Sequence, residues 1–247
     1  MVLFLHGFMG SGADWKATIP ALDERFYCVA PDLPGHGTAL RLPSEAYTIE
    51  GAARLLLELL DRLEVPATAL AGYSMGGRLA LYLALRYPGR VFGLFLESAS
   101  PGIEDTTERQ TRREADEEKA KRLESGDLEE FLADWYGQPL FASLARNERL
   151  LRETIEARLR NDPGELARSL RGMGTGNQPS LWEELSALRV PTLVVAGELD
   201  EKYVGVSARM ASLNPRIRSA IVPGAGHNVR LEKPEEYLGL LEGFLGL

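Results

Sequence analysis

Ala67-Thr68-Ala69-Leu70-Ala71-Gly72-Tyr73-Ser74-Met75-Gly76-Gly77-Arg78 is the stretch that decides the fold. A short apolar run ends at Gly72, and a helical pattern starts at Gly77 and continues to residue 87. Between them stands G-x-S-x-G with a strand before it and a helix after it, the context a nucleophile elbow requires. The spacing has a mechanical reason. A serine at a sharp strand-to-helix turn takes a strained backbone, and glycines on either side remove Cβ atoms that would clash. The hydroxyl of Ser74 is then left above the sheet, and the helix N-terminus lends positive partial charge to anions forming there.

The rest of the chain repeats the strand-then-helix rhythm. Residues 2–5, 26–30, 91–97, 191–196 and 219–223 read as further strands, several of them continuously apolar. That is the pattern of strands buried on both faces of a parallel sheet. Residues 49–63 and 234–245 read as helices. The alternation predicts an α/β fold with a doubly wound, mostly parallel sheet. Residues 101–188 break the rhythm with helical patterns and no convincing strand. This block opens with a charged run, residues 104–124, whose eight acids and six bases suit a solvated helix laced with i,i+4 pairs. We therefore expect a core formed by residues 1–100 and 189–247, with residues 101–188 inserted as a helical lid.

Composition narrows the function. The 247 residues carry 28 Lys and Arg against 36 Asp and Glu, a formal charge of −8. No basic footprint exists for nucleic acid or an anionic membrane, so an anionic ligand must be met by local arginines. No apolar run approaches the ~18 residues of a membrane helix. The short apolar start, Met1 to Leu5, runs directly into His6-Gly7 and has no basic flank, unlike a signal peptide. A soluble cytoplasmic protein is expected. The single cysteine, Cys28, permits no intrachain disulfide and reads as a small core residue.

A serine nucleophile needs a base, and the chain offers three histidines. His227 lies in Gly226-His227-Asn228, past the strand at 219–223. Asp200 ends a segment just past the strand at 191–196, with Glu198 and Glu201 as rival carboxylates. The order Ser74, Asp200, His227 is one of the three known triad orders. His6, in Leu5-His6-Gly7-Phe8, marks a loop that supplies an oxyanion-hole amide. The backbone N–H groups of Phe8 and Met75 are the expected pair. His6 and His36 themselves are expected to support loops. The three histidines have no metal-ligand spacing, so neither a metal nor a cofactor is expected.

Together these residues resemble the α/β-hydrolase superfamily, with the Ser-Asp-His order that its fold carries. The stretch from Leu5 to Gly12 with Asp14-Trp15, the turn Asp32–Gly37, the elbow through Arg78, Trp135-Tyr136 with Gln138-Pro139 and Phe141, and Gly226-His227-Asn228 narrow the resemblance. They are similar to the 2-succinyl-6-hydroxy-2,4-cyclohexadiene-1-carboxylate synthases of menaquinone biosynthesis. The family's N-terminal hairpin is expected to be short or absent. The resemblance implies an elimination, with the triad abstracting a proton and pyruvate leaving. It implies a small polycarboxylate substrate, a monomer, and no nucleic-acid or membrane partner. Arg78, one helical turn past Ser74, would hold a carboxylate near the nucleophile, unless it pairs with a core carboxylate instead. The family match adds Arg112 and Arg158 as substrate ligands, with Arg160 a rival to Arg158, and Tyr73 and Trp135 as walls. A serine esterase or carbon–carbon hydrolase on the same triad, and a non-catalytic binding protein of the same fold, are the alternatives.

Overall fold

The computed structural model describes residues 1–247 apart from Asp23, Arg25 and Leu247. Six strands, β1 (Val2–Leu5), β2 (Cys28–Val29), β3 (Thr68–Tyr73), β4 (Val91–Glu97), β5 (Thr192–Gly197) and β6 (Ile217–Val222), form one sheet in the order β2-β1-β3-β4-β5-β6. All five pairings are parallel. The helices are α1 (Ile49–Arg62), α2 (Met75–Arg86), α3 (Thr106–Ser125), α4 (Leu128–Tyr136), α5 (Glu148–Arg158), α6 (Pro163–Met173), α7 (Glu201–Leu213), α8 (Val229–Glu232) and α9 (Pro234–Leu245).

The continuous apolar strands are explained by two cores. Along β1, Leu3 and Leu5 face a cluster built with α1, α2 and α7, while Val2 and Phe4 face another built with Trp15, α8 and α9. Successive side chains of a strand point to opposite faces, so both parities must be apolar when helices cover both faces. The strand expected at 26–30 shrinks to two residues. β2 is an edge strand that pairs only with β1, and Tyr27 beside it is exposed. Cys28 is half-buried there rather than fully buried, and burial pushes its thiol up.

The four helices α3 to α6 all lie between β4 and β5, and no strand interrupts them among the described residues. They share their own apolar cluster, in which Ala120, Leu123, Phe131, Leu132, Tyr136, Leu166 and Leu170 meet Met9 of the core. Each starts at a side-chain cap. Asp105 accepts from the N–H of Glu108, Asp127 from Glu129, Asn147 from Leu150 and Asp162 from Glu165. A cap of this type contributes about 1 kcal/mol. The charged run 104–124 is α3. It turns Asp116, Ala120 and Leu123 inward and most of its charges outward. Among the described residues no helix is long and apolar enough to cross a membrane.

Candidate active site

Ser74 occupies the turn between β3 and α2 with φ 48° and ψ −106°, a left-handed backbone that a non-glycine residue holds at a cost. Two contacts hold it there. Its N–H donates to the Glu97 carbonyl at 2.8 Å, and its own carbonyl accepts from the N–H of Arg78 at 3.0 Å. The flanking glycines are sterically required. A Cβ on Gly72 would lie 2.6 Å from Gly77 Cα, and one on Gly76 would run into the carbonyl of Leu5.

Asp200 and His227 reach Ser74 from the ends of the next two strands. Asp200 caps α7, one carboxylate oxygen accepting from the N–H of Tyr203 at 3.4 Å. Its other oxygen lies 2.6 Å from His227 Nδ1. His227 Nε2 lies 3.3 Å from Ser74 Oγ. Nδ1–H therefore donates to the carboxylate, leaving the Nε2 lone pair for the serine hydroxyl. Asp200 and His227 are buried and Ser74 is half-buried, with Tyr203, Tyr73 and Phe141 packed around the imidazole. The rival carboxylates are elsewhere. Glu198 accepts from Gly224 N–H on the surface, and Glu201 is exposed.

His6 and His36 are structural. His6 Nδ1–H donates to the Gly7 carbonyl, and its Nε2 accepts from Leu33 N–H at 2.9 Å. His36 Nδ1–H donates to the Pro34 carbonyl, and its Nε2 accepts from Met9 N–H at 3.0 Å. The two rings, 5.0 Å apart, staple the loop after β1 to the loop after β2. Both are fully buried and neutral. Desolvation lowers His6, and it lowers His36 to about 3. Asp32 adds a third tie by accepting from Gly12 N–H at 2.8 Å. The loop that carries Phe8 is thereby fixed. Among the described residues the N–H groups of Phe8 and Met75 donate no hydrogen bond, and both residues line the cavity beside Ser74.

That cavity, of about 200 Å³, is roofed by the inserted helices. Tyr73, Ser74, Arg78, Arg112, Trp135, Arg158 and His227 all line it, so the fold gathers the expected site residues in one place. Arg160 is exposed at the end of α5 and does not line it. Trp135 stacks on Phe131 and packs against Phe8, joining the roof to the floor.

The cavity's charge is opposite to the chain's. Arg78, Arg112, Lys119, Arg158 and Lys202 line it, against one carboxylate, Asp14. The three arginines differ in their partners. Arg112 Nε bonds Asp116 at 2.8 Å. Arg158 makes a bidentate pair with Asp14 at 2.7 and 2.8 Å, which raises the guanidinium and holds the carboxyl below its usual range despite burial. Among the described residues the buried guanidinium of Arg78 bonds only the side-chain carbonyl of Gln178, at 2.8 Å, and pairs with no core carboxylate. Desolvation pulls it down to about 10.

Sequence reasoning missed several neighbours. Lys119, Lys202 and Tyr203 face the cavity from α3 and α7, where a single charge or ring in a helix carries no local signal. Glu97 had one, a lone acid ending an apolar strand. It is fully buried, its carboxylate accepts the N–H of Arg230, three residues past His227, at 3.0 Å, and burial lifts it to about 7. Through its carbonyl and its carboxylate, Glu97 ties the nucleophile's turn to the histidine's loop.

Comparison with known proteins fits this geometry. A family model described as the alpha/beta hydrolase fold matches residues 1–234. The chain belongs to the α/β-hydrolase fold family. Within it, a Bacillus subtilis (strain 168) protein provisionally named 2-succinyl-6-hydroxy-2,4-cyclohexadiene-1-carboxylate synthase is 40% identical over 99% of this chain and 89% of its own length. A protein of Escherichia coli O1:K1 / APEC with the same synthase name is 32% identical over 99% of this chain and 93% of its own length. The solved structure of MenH from S. aureus superposes with TM-score 0.94 at 35% identity, covering 99% of this chain and 92% of that one. This α/β-hydrolase therefore matches synthases over nearly its full length.

Proposed function

We propose that this chain is a 2-succinyl-6-hydroxy-2,4-cyclohexadiene-1-carboxylate synthase of menaquinone biosynthesis. It acts as a carbon–oxygen lyase that eliminates pyruvate from 2-succinyl-5-enolpyruvyl-6-hydroxy-3-cyclohexene-1-carboxylate. The full-length likeness to named synthases supports the reaction, and the cavity's chemistry supports the substrate. The observation that carries the reading is Arg78: a buried guanidinium with no carboxylate partner among the described residues, one turn from Ser74. Leaving such a charge unpaired is costly unless a ligand anion completes it.

In this reading Asp200 holds His227 in the tautomer that accepts from Ser74, and the serine oxygen removes the ring proton. No acyl-enzyme is needed. The carbanion left behind delocalises onto the adjacent succinyl carbonyl as an enolate, and the amides of Phe8 and Met75 stabilise the charge as it develops. Bond reorganisation across the ring expels the enolpyruvyl oxygen, and the released enol becomes pyruvate. Arg78, Arg112 and Arg158 hold the carboxylates, Tyr73 and Trp135 form the walls, and residues 101–188 act as the lid. An ester hydrolase would want an apolar acyl pocket, which five cations against one carboxylate do not make.

Isotope substitution tests elimination against hydrolysis. Deuterium at the ring carbon that loses its proton should slow pyruvate release, read as a competitive effect on kcat/KM. Equal rates for both isotopologues, together with turnover of activated esters, would contradict the lyase reading.

A further inference from the structure

The Arg78 guanidinium is hydrogen-bonded by a residue that does not line the cavity. Gln178 is fully buried and sits on the segment returning from α6 to β5. That segment is held at both ends. Gln178 N–H donates to the Gly174 carbonyl at 3.1 Å, Leu181 N–H donates to the Pro101 carbonyl at 2.8 Å, and Trp182 Nε1–H donates to the Gly102 carbonyl at 3.0 Å. The side-chain carbonyl of Gln178 accepts from Arg78 Nη1 at 2.8 Å, while its Nε2 has no partner among the described residues. The opposite amide orientation would set N–H against N–H, so the guanidinium fixes the orientation.

The contrast with the other two arginines gives this contact its meaning. Asp116 and Asp14 satisfy Arg112 and Arg158 with charge as well as hydrogen bonds. Gln178 satisfies one N–H of Arg78 and leaves its charge whole. A buried guanidinium has five donors, and an amide oxygen occupies one of them. A carboxylate at the same position would neutralise Arg78, and an incoming ligand carboxylate would then have to displace it.

We propose that Gln178 is a specificity-determining positioning residue. It anchors Arg78 through an uncharged acceptor, so that the guanidinium stays available to a substrate carboxylate. The proposal rests on the reading that a polycarboxylate enters the cavity.

Two near-isosteric variants separate charge from hydrogen bonding. The probe is 2-succinylbenzoate, a stable aromatic dicarboxylate with the succinyl side chain of the proposed product, titrated by calorimetry. Gln178→Glu should weaken probe binding about tenfold or more, and should raise KM for the substrate by more than it lowers kcat. Gln178→Met, which drops the hydrogen bond and adds no charge, should weaken binding by only about threefold or less. In an Arg78→Met background, Gln178→Glu should have no further effect on binding. Equal losses from the Glu and Met variants, an undiminished loss in the Arg78→Met background, or no probe binding to the parent chain would each overturn the proposal. If Gln178→Glu fails to fold, the Met variant decides: a tenfold loss overturns the proposal, and retained binding supports it. A parent chain that binds the probe through Arg78 but releases no pyruvate would sink the synthase reading and leave this inference standing.

Discussion

Arg78 donates its main-chain N–H to the carbonyl of Ser74 at 3.0 Å, closing the first turn of α2. That one turn places the buried guanidinium and the serine hydroxyl against the same cavity. Their distance is fixed by helix geometry and not by a flexible loop, so a carboxylate held by Arg78 keeps one position relative to Ser74. Truncating the arginine should therefore damage both binding and orientation. Arg78→Ala is expected to cost about 2–4 kcal/mol in kcat/KM, as loss of a desolvated charge pair does. Steady-state kinetics checks it. A loss below ~0.5 kcal/mol, the range of ordinary surface substitutions, would mean that Arg78 is only structural.

Ser74→Ala and His227→Ala remove chemistry while disturbing little packing. Each should lower kcat by roughly 10³-fold or more, and the two together should cost little more than either alone, because the residues act as one unit. Single-turnover rates alongside thermal melts check this. Near-additive losses would break the hydrogen-bonded chain that runs from Asp200 through His227 to Ser74.

Much of this was legible in the sequence. The strands are readable because helices cover both sheet faces, and the elbow because Ser74's turn tolerates so few residues around it. Asp200 beats Glu198 and Glu201 for a reason the sequence carries only faintly: it caps α7, so one of its oxygens is fixed by the helix and the other faces His227. The partners of the arginines were not legible. Asp14 and Arg158 are 144 positions apart, Arg78 and Gln178 exactly 100, and no local pattern encodes such pairs. α7 has no comparable signal. Gly205 weakens its helical pattern, and packing of α7 on β5 and β6 outweighs it.

The Asp14–Arg158 pair joins the loop before Trp15 to the last turn of α5, binding core to insertion. Both side chains are largely buried, so removing one charge strands the other. Asp14→Asn should destabilise the protein by about 3–5 kcal/mol. Urea unfolding measures the change. A shift below ~1 kcal/mol would show that the pair is solvated in solution, since exposed pairs contribute no more than that.

Acid should destabilise the protein through His36. Its folded pKa of about 3 lies below the unfolded value of 6.5. Its contribution is thus intact above pH 6.5 and is lost as pH falls toward 3. The slope in that window is roughly 1.4 kcal/mol per pH unit for this group. His6 acts in the same direction. Glu97 has the opposite sign, because its folded pKa of about 7 lies above the unfolded 4.5, so its contribution is lost as pH rises through 7. Unfolding free energies between pH 7 and 4 should fall less steeply in His36→Gln than in the parent chain. Parallel curves would contradict the neutral, buried state of His36.

Pyruvate release is the most direct measurement of the central claim. The enolpyruvyl substrate would be generated in situ and pyruvate followed with the parent chain, with Ser74→Ala, and without protein, since the substrate also decays on its own. The account predicts release far above the spontaneous rate for the parent chain and near the spontaneous rate for Ser74→Ala. A parent-chain rate equal to the protein-free control would contradict it.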